Sequence, residues 1–183
     1  MAEALKKVLS LLGILNDQDV DWIVRTGIRR KITVGTPIIL EGKPNDALFF
    51  ILGGEFSVTS AKASGEIARV RSGEVVGEVS FVDSRPPSAT VTAKLDSVVG
   101  AVSMDALQRK LEDDLGFASR FFKSMAVILA DRLRASRNMG YKPAAGVRMD
   151  EGDDEIAPEL LDAISMAGNR FADMQRRPWG SSA

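Results

Sequence analysis

The sequence predicts an α+β fold in which eight short strands form a β-barrel, roll or jelly roll between flanking helices. Two observations carry this expectation. Between Lys31 and Ser103, short β-branched or aromatic runs alternate with glycine turns. Before and after that block, apolar residues recur at intervals of three and four, the spacing of a buried helix face. The 183 residues suffice for one domain with appendages, and 45% hydrophobic with 27% charged residues is ordinary for a soluble globular protein.

Leu5, Leu9, Leu12 and Leu15 predict a first helix over 3–15. Lys6 and Lys7 precede this apolar stretch as in a signal peptide, but no small-residue cleavage site follows, so an amphipathic docking helix fits better. Asn16 or Asp17 caps a second helix over 17–29, with Val20, Ile23 and Val24 on one face. Strands are expected at Lys31–Val34, Pro37–Leu40, Leu48–Leu52, Phe56–Ser60, Ile67–Arg71, Val75–Val76, Ala89–Ala93 and Val98–Ser103. Turns fall at Gly35, Gly42, Gly53–Gly54, Ser64–Gly65 and Ser72–Gly73.

Helical spacing returns with a short helix over Met104–Asp113 and a longer one over 117–137. Phe121, Met125, Ile128, Arg132 and Ala135 share one stripe of the longer helix, and Phe117, Phe122, Leu129 and Leu133 make it apolar on two faces. One face would cover the strands and the other would meet a second copy, so a homodimer is expected. Gly140, Pro143 and the acidic run Asp150–Glu155 read as a flexible linker over 138–156. That run lacks the ligand alternation of a calcium loop. A last amphipathic helix over 157–177 starts at Pro158, with Leu160, Ile164, Ala167, Phe171 and Met174 as its seam, and Pro178–Ala183 should fray. The domain proper is expected over 1–137.

Several function classes are excluded by residue type. With no Cys and no His there is no disulfide, thiol nucleophile, imidazole base or Cys/His metal site. No acid–base pair is visible either, so no enzyme and no cofactor are expected. A net charge of −1 gives no global attraction to nucleic acid or anionic membrane, and no apolar stretch approaches the ~20 residues of a bilayer span. Arg120, Lys123, Arg132, Arg134 and Arg137 form a basic tract read as a solvated helix face. A cytoplasmic location fits this composition.

The stretch Glu41-Gly42-Lys43-Pro44-Asn45-Asp46-Ala47-Leu48-Phe49-Phe50-Ile51-Leu52-Gly53-Gly54-Glu55 resembles a strand segment of the cyclic-nucleotide-binding domain family. This is the family of the catabolite activator protein and of the cAMP-dependent protein kinase regulatory subunit. Gly77-Glu78-Val79-Ser80-Phe81-Val82-Asp83-Ser84-Arg85-Pro86-Pro87-Ser88-Ala89-Thr90-Val91 is similar to its phosphate-binding cassette. The resemblance covers roughly 1–137 and implies an eight-stranded antiparallel β-roll, jelly-roll-like, with two helices after it. A helix-turn-helix domain, which transcription factors of the family carry, has no room after Asn138, so no DNA binding is expected.

The resemblance also implies a site. Gly77 would allow close backbone approach, Glu78 would accept from a ribose hydroxyl, and the amides of the short helix at Val79 and Ser80 would face a phosphate, with Ser88 and Ala89 completing the cradle. The family's phosphate-pairing Arg slot holds Pro87 here. Arg85 is the nearest cation, and Pro86 and Pro87 lack amide donors. On residue chemistry alone, Glu78 also reads as a buried carboxylate paired with an Arg or an amide. The implied function is a stand-alone regulatory module that senses cAMP, cGMP or a similar small anion and relays it to a protein partner through its C-terminal helices. The alternative is an interaction protein that keeps the roll without a ligand.

Overall fold

A computed structural model of the chain describes residues 11–140 and 158–180; the side chains of 135–140 and 158–164 lie outside that description. So do the part of the expected first helix before Leu11, the acidic run and the last three residues.

Helix α1 (Asp17–Thr26) leads into β1 (Ile28–Ile32), β2 (Pro37–Ile39), β3 (Ala47–Gly53), β4 (Glu55–Thr59), β5 (Glu66–Arg71) and β6 (Val75–Val76). A short helix α2 (Glu78–Asp83) precedes β7 (Thr90–Ala93) and β8 (Ser97–Ser103). Helices α3 (Met104–Asp113), α4 (Leu115–Gly140) and α5 (Pro158–Arg176) follow. The strands form two four-stranded antiparallel sheets, ordered β1-β8-β3-β6 and β2-β7-β4-β5, which is the expected β-roll.

Strand β3 organises both cores. It is buried along Ala47–Leu52, and successive side chains of a strand face opposite ways. Phe49 and Ile51 point into the roll, against Ile39, Phe56, Val70, Val91 and Val99. Leu48, Phe50 and Leu52 point outward, under a helical layer that supplies Val20, Ile23, Leu107, Phe117, Phe121 and Met125. Each such side chain contributes roughly 1.5–3 kcal/mol on full burial.

The helical layer is pinned by one carboxylate. Asn16 and Asp19 form a reciprocal capping box, Asn16 Oδ1 accepting from the Asp19 amide and Asp19 Oδ2 from the Asn16 amide, both at 2.9 Å. Buried Asp19 also accepts from Arg120 Nε at 2.6 Å and Nη2 at 2.8 Å, tying α1 to α4. Arg120 is therefore an internal partner rather than part of a solvated face.

Among α1–α5 and β1–β8, three boundaries differ from expectation by three residues, and the others by at most two. Helix α1 stops at Thr26, because the chain turns extended at Gly27 and Ile28 starts pairing with Ala101 of β8. β1 is shifted to Ile28–Ile32; its exposed Arg29, Arg30 and Lys31 show no apolar alternation. Helix α4 runs three residues past the expected end at 137, to Gly140.

The C-terminal segment packs on its own domain, and Trp179 and Gly180, expected to fray, are held in place. Ala167 and Met174 join the outer core, and Phe171 packs against it. Leu160 and Ile164 of the expected seam lie outside the described side chains. Arg170 donates to Asp17 Oδ1 at 2.6 Å and to the Leu12 carbonyl at 2.7 Å, and Gln175 Nε2 donates to the Leu52 carbonyl at 2.6 Å. Beyond α5, Trp179 is 9% exposed and lies against Phe50, with ring centroids 6.2 Å apart. Its indole N–H reaches the Met174 carbonyl at 2.9 Å, and the Gly180 amide reaches the Val24 carbonyl at 3.2 Å. Gly27 and Gly100 make the floor of this seat: a Cβ on Gly27 would lie 2.6 Å from the indole, and one on Gly100 would overlap it. Among the described residues no helix is long and apolar enough to cross a membrane.

Gly100→Ala is therefore expected to expel Trp179. In a Trp22→Phe background, which leaves Trp179 as the sole indole, its fluorescence should shift to the red and the midpoint of urea unfolding should fall. Unchanged emission would refute the seat.

Candidate ligand-binding site

Between the inner faces of the sheets and α4 lies a cavity of about 500 Å³, within the range of small-molecule sites. Its walls are mostly apolar: Ile39, Val58, Val70, Val76 and Val91 from the roll and Ile128 from α4. One rim is polar, made by the turn from β6 into α2, by Ser88–Ala89, and by Asp131 and Arg132 of α4.

Gly77 makes that turn. Its φ of 96° lies in the left-handed region that favours glycine, and a Cβ would sit 2.8 Å from the Ala47 carbonyl oxygen and 2.9 Å from Asn45 Nδ2. The first motif and the cassette are thus in contact. A second junction joins them where the Gly42 amide donates to the Pro87 carbonyl at 2.8 Å.

Glu78, the first residue of α2, is completely buried and lines the cavity. Arg132 reaches down from α4 and donates to Glu78 Oε1 through Nη1 and to the Val75 carbonyl through Nη2, the latter at 2.5 Å. Glu78 Oε2 has no hydrogen-bond partner. Burial pushes the Glu78 carboxyl above the ordinary carboxylate range, and the Arg132 charge pulls it partly back. An unpartnered buried acceptor costs about 1–3 kcal/mol, a cost that a ligand hydroxyl or N–H would relieve.

A second contact joins cassette and helix: Phe81 of α2 meets Phe121 of α4 edge-on, with centroids 5.7 Å apart, and Phe121 stacks on Phe117 at 5.6 Å. On the other side of α4, Phe122 and Leu133 are exposed.

Of the residues expected at a site, Gly77, Glu78, Val79, Ser80, Ser88 and Ala89 all border the cavity. Arg85 does not: it is exposed and absent from the wall. Ser84, at φ 56°, ends α2 in a left-handed turn, and the Arg85 amide then donates to Asp83 Oδ1 at 3.0 Å, while Pro87 is the buried residue facing the cavity. Sequence reasoning did not assign Arg132 to the site, although a lone charge on the stripe Phe121, Met125, Ile128 was a signal. Among the described residues no group of three or more His, Cys, Asp or Glu side chains could hold a metal ion.

Residues 29–114 match the family model described as cyclic nucleotide-binding domain. The chain is 31% identical over 111 residues to a cAMP-dependent protein kinase regulatory subunit of Yarrowia lipolytica, a match over 61% of this chain and 30% of that protein. It is 26% identical over 155 residues to an uncharacterized NTE family protein of Mycobacterium tuberculosis, covering 85% of this chain and 26% of that protein. The matched region thus spans less than a third of either relative. Among solved structures, a cyclic nucleotide-binding domain from Methylobacillus flagellatus superposes with a TM-score of 0.65 at 25% identity, covering 79% of this chain and 89% of that one. The Thermus thermophilus catabolite activator protein shares the fold, with a TM-score of 0.57 at 19% identity over 87% of this chain and 82% of that one.

The raised pKa of Glu78 fixes the sign of a pH effect. In the window between the usual 4.5 and the raised folded value, the folded chain holds more protons than the unfolded chain. The contribution of Glu78 to stability is therefore retained below 4.5 and declines as pH rises through the folded value. Urea unfolding of wild type and Glu78→Gln over a pH series should show wild type losing ground to the variant as pH rises. The opposite slope would place Glu78 in a charge-stabilising site.

Proposed function

We propose, from the premise that residues 29–114 are a domain of the cyclic nucleotide-binding family, that the chain is a non-catalytic regulatory module whose cavity takes a cyclic nucleotide. The observation that carries this reading is Glu78 Oε2, a buried acceptor at the cavity wall with no partner. A ribose hydroxyl would satisfy it, the apolar walls would take the base, and Ser88 with the α2 amides would face the phosphate. No cofactor is invoked.

The relay runs through α4. That helix touches α2 at the Phe81–Phe121 contact and at the Glu78–Arg132 pair, so a ligand that engages Glu78 changes what holds α4. The exposed Phe122 and Leu133 would then present to a protein partner or to a second copy of the chain. We take the module to act on its own in the cytoplasm, without contact to DNA or membrane. The curated relative named as a kinase regulatory subunit supports the regulatory half of this reading.

A second reading has its own observation. Pro86 and Pro87 remove two amide donors from the cassette, and Pro87 replaces a charge-assisted phosphate contact worth roughly 1.5–3 kcal/mol. On that reading the roll is an interaction scaffold without a ligand.

Calorimetric titration of the full chain with cAMP and cGMP separates the two. The ligand-binding reading expects affinity weaker than about 1 µM, tightened about ten- to a hundredfold by Pro87→Arg. Sub-micromolar wild-type binding would refute the penalty assigned to Pro87. No heat from either nucleotide, with wild type and with Pro87→Arg, would establish the scaffold.

A further inference from the structure

Resting on the ligand-binding reading above, we infer that Arg132 is the residue that pairs with the anionic group of the ligand, so that the positive charge at the anion site of this chain is supplied by α4 rather than by the cassette. The first observation is charge placement. The cavity wall carries Arg69 and Arg132 against Glu74, Glu78 and Asp131. An anion entering this wall meets more negative than positive groups and needs a specific cation.

Arg69 is committed elsewhere. It pairs with Glu66 and, at 3.4 Å, with Glu55, on the exposed side of β5. Arg85 is outside the cavity, and Pro87, which faces it, has no charge. That leaves Arg132.

Its geometry suits the role. Two of the five N–H groups of a guanidinium are used on Glu78 Oε1 and the Val75 carbonyl. The side chain is 39% exposed, so it can be approached from the cavity while still braced on Glu78. A planar guanidinium holds a carboxylate on one edge and a phosphate on another. Glu78, in turn, has one oxygen on Arg132 and one unpartnered. The pair therefore describes the chemistry of its ligand: a hydroxyl or N–H donor for Glu78 beside an anion for Arg132. The guanidinium rests on Glu78, and on binding it bridges Glu78 and the anion.

The test compares cAMP with adenosine, which lacks the phosphate, by calorimetry or by amide shift titration of the full chain. Wild type should prefer cAMP by about ten- to a hundredfold. Arg132→Gln should reduce that preference to within about threefold. Since Arg132→Gln leaves a buried carboxylate unpaired, the double variant Glu78→Gln/Arg132→Gln, which buries no lone charge, is measured beside it and should show the same lost preference. An undiminished preference in the folded variants overturns the inference while leaving the ligand-binding reading intact. So does tighter binding by Arg132→Gln, which would make Arg132 a plug, or loss of preference in Arg85→Gln instead. Failure of wild type to bind either compound overturns both readings.

Discussion

The fold depends on β3 being buried on both faces. A strand covered on one side only would alternate apolar and polar residues, but Ala47–Leu52 is apolar at every position. It can be satisfied only if one sheet face closes a roll and the other lies beneath helices. Its hydrogen-bonded neighbours are fixed in consequence: β8 on one edge and β6 on the other. β6 runs straight into Gly77 and Glu78, so the strand that organises the core also sets the position of the buried carboxylate.

Most of the roll is legible in the sequence because its punctuation is local. Gly35, Gly42, Gly54, Gly65 and Gly73 all adopt positive φ, and each lies in a gap between strands. β1 is the exception. Ile28–Ile32 is an edge strand with three exposed basic residues, and its pairing with β8, about seventy positions away, leaves no periodic trace. The cassette is legible as a motif, down to the left-handed glycine that only its backbone requires.

What the sequence leaves hidden is long-range and polar. The Glu78–Arg132 pair joins residues 54 apart and the Asp19–Arg120 pair residues 101 apart. Neither partner's type nor its spacing says which charge it will meet. Arg132 and Arg120 look alike as members of a basic tract, yet each is spent on a different buried acid. Trp179 is similar. A residue two places beyond an expected helix reads as a loose end, and only the paired absence of side chains at Gly27 and Gly100 makes a seat for it.

The attachment of α4 makes it a lever. Its first turns are clamped by the Asp19–Arg120 pair and by the packing of Phe117 on Trp22 of α1 and of Phe121 on Phe81 of α2, and Phe121 acts as the fulcrum. At a rise of 1.5 Å per residue, Arg132 lies about 16 Å along the helix from Phe121, and Gly140 about 28 Å. Any tilt about that fulcrum that displaces Arg132 displaces Gly140 by about 1.7 times as much. Small adjustments at the carboxylate are thereby magnified at the far end of α4.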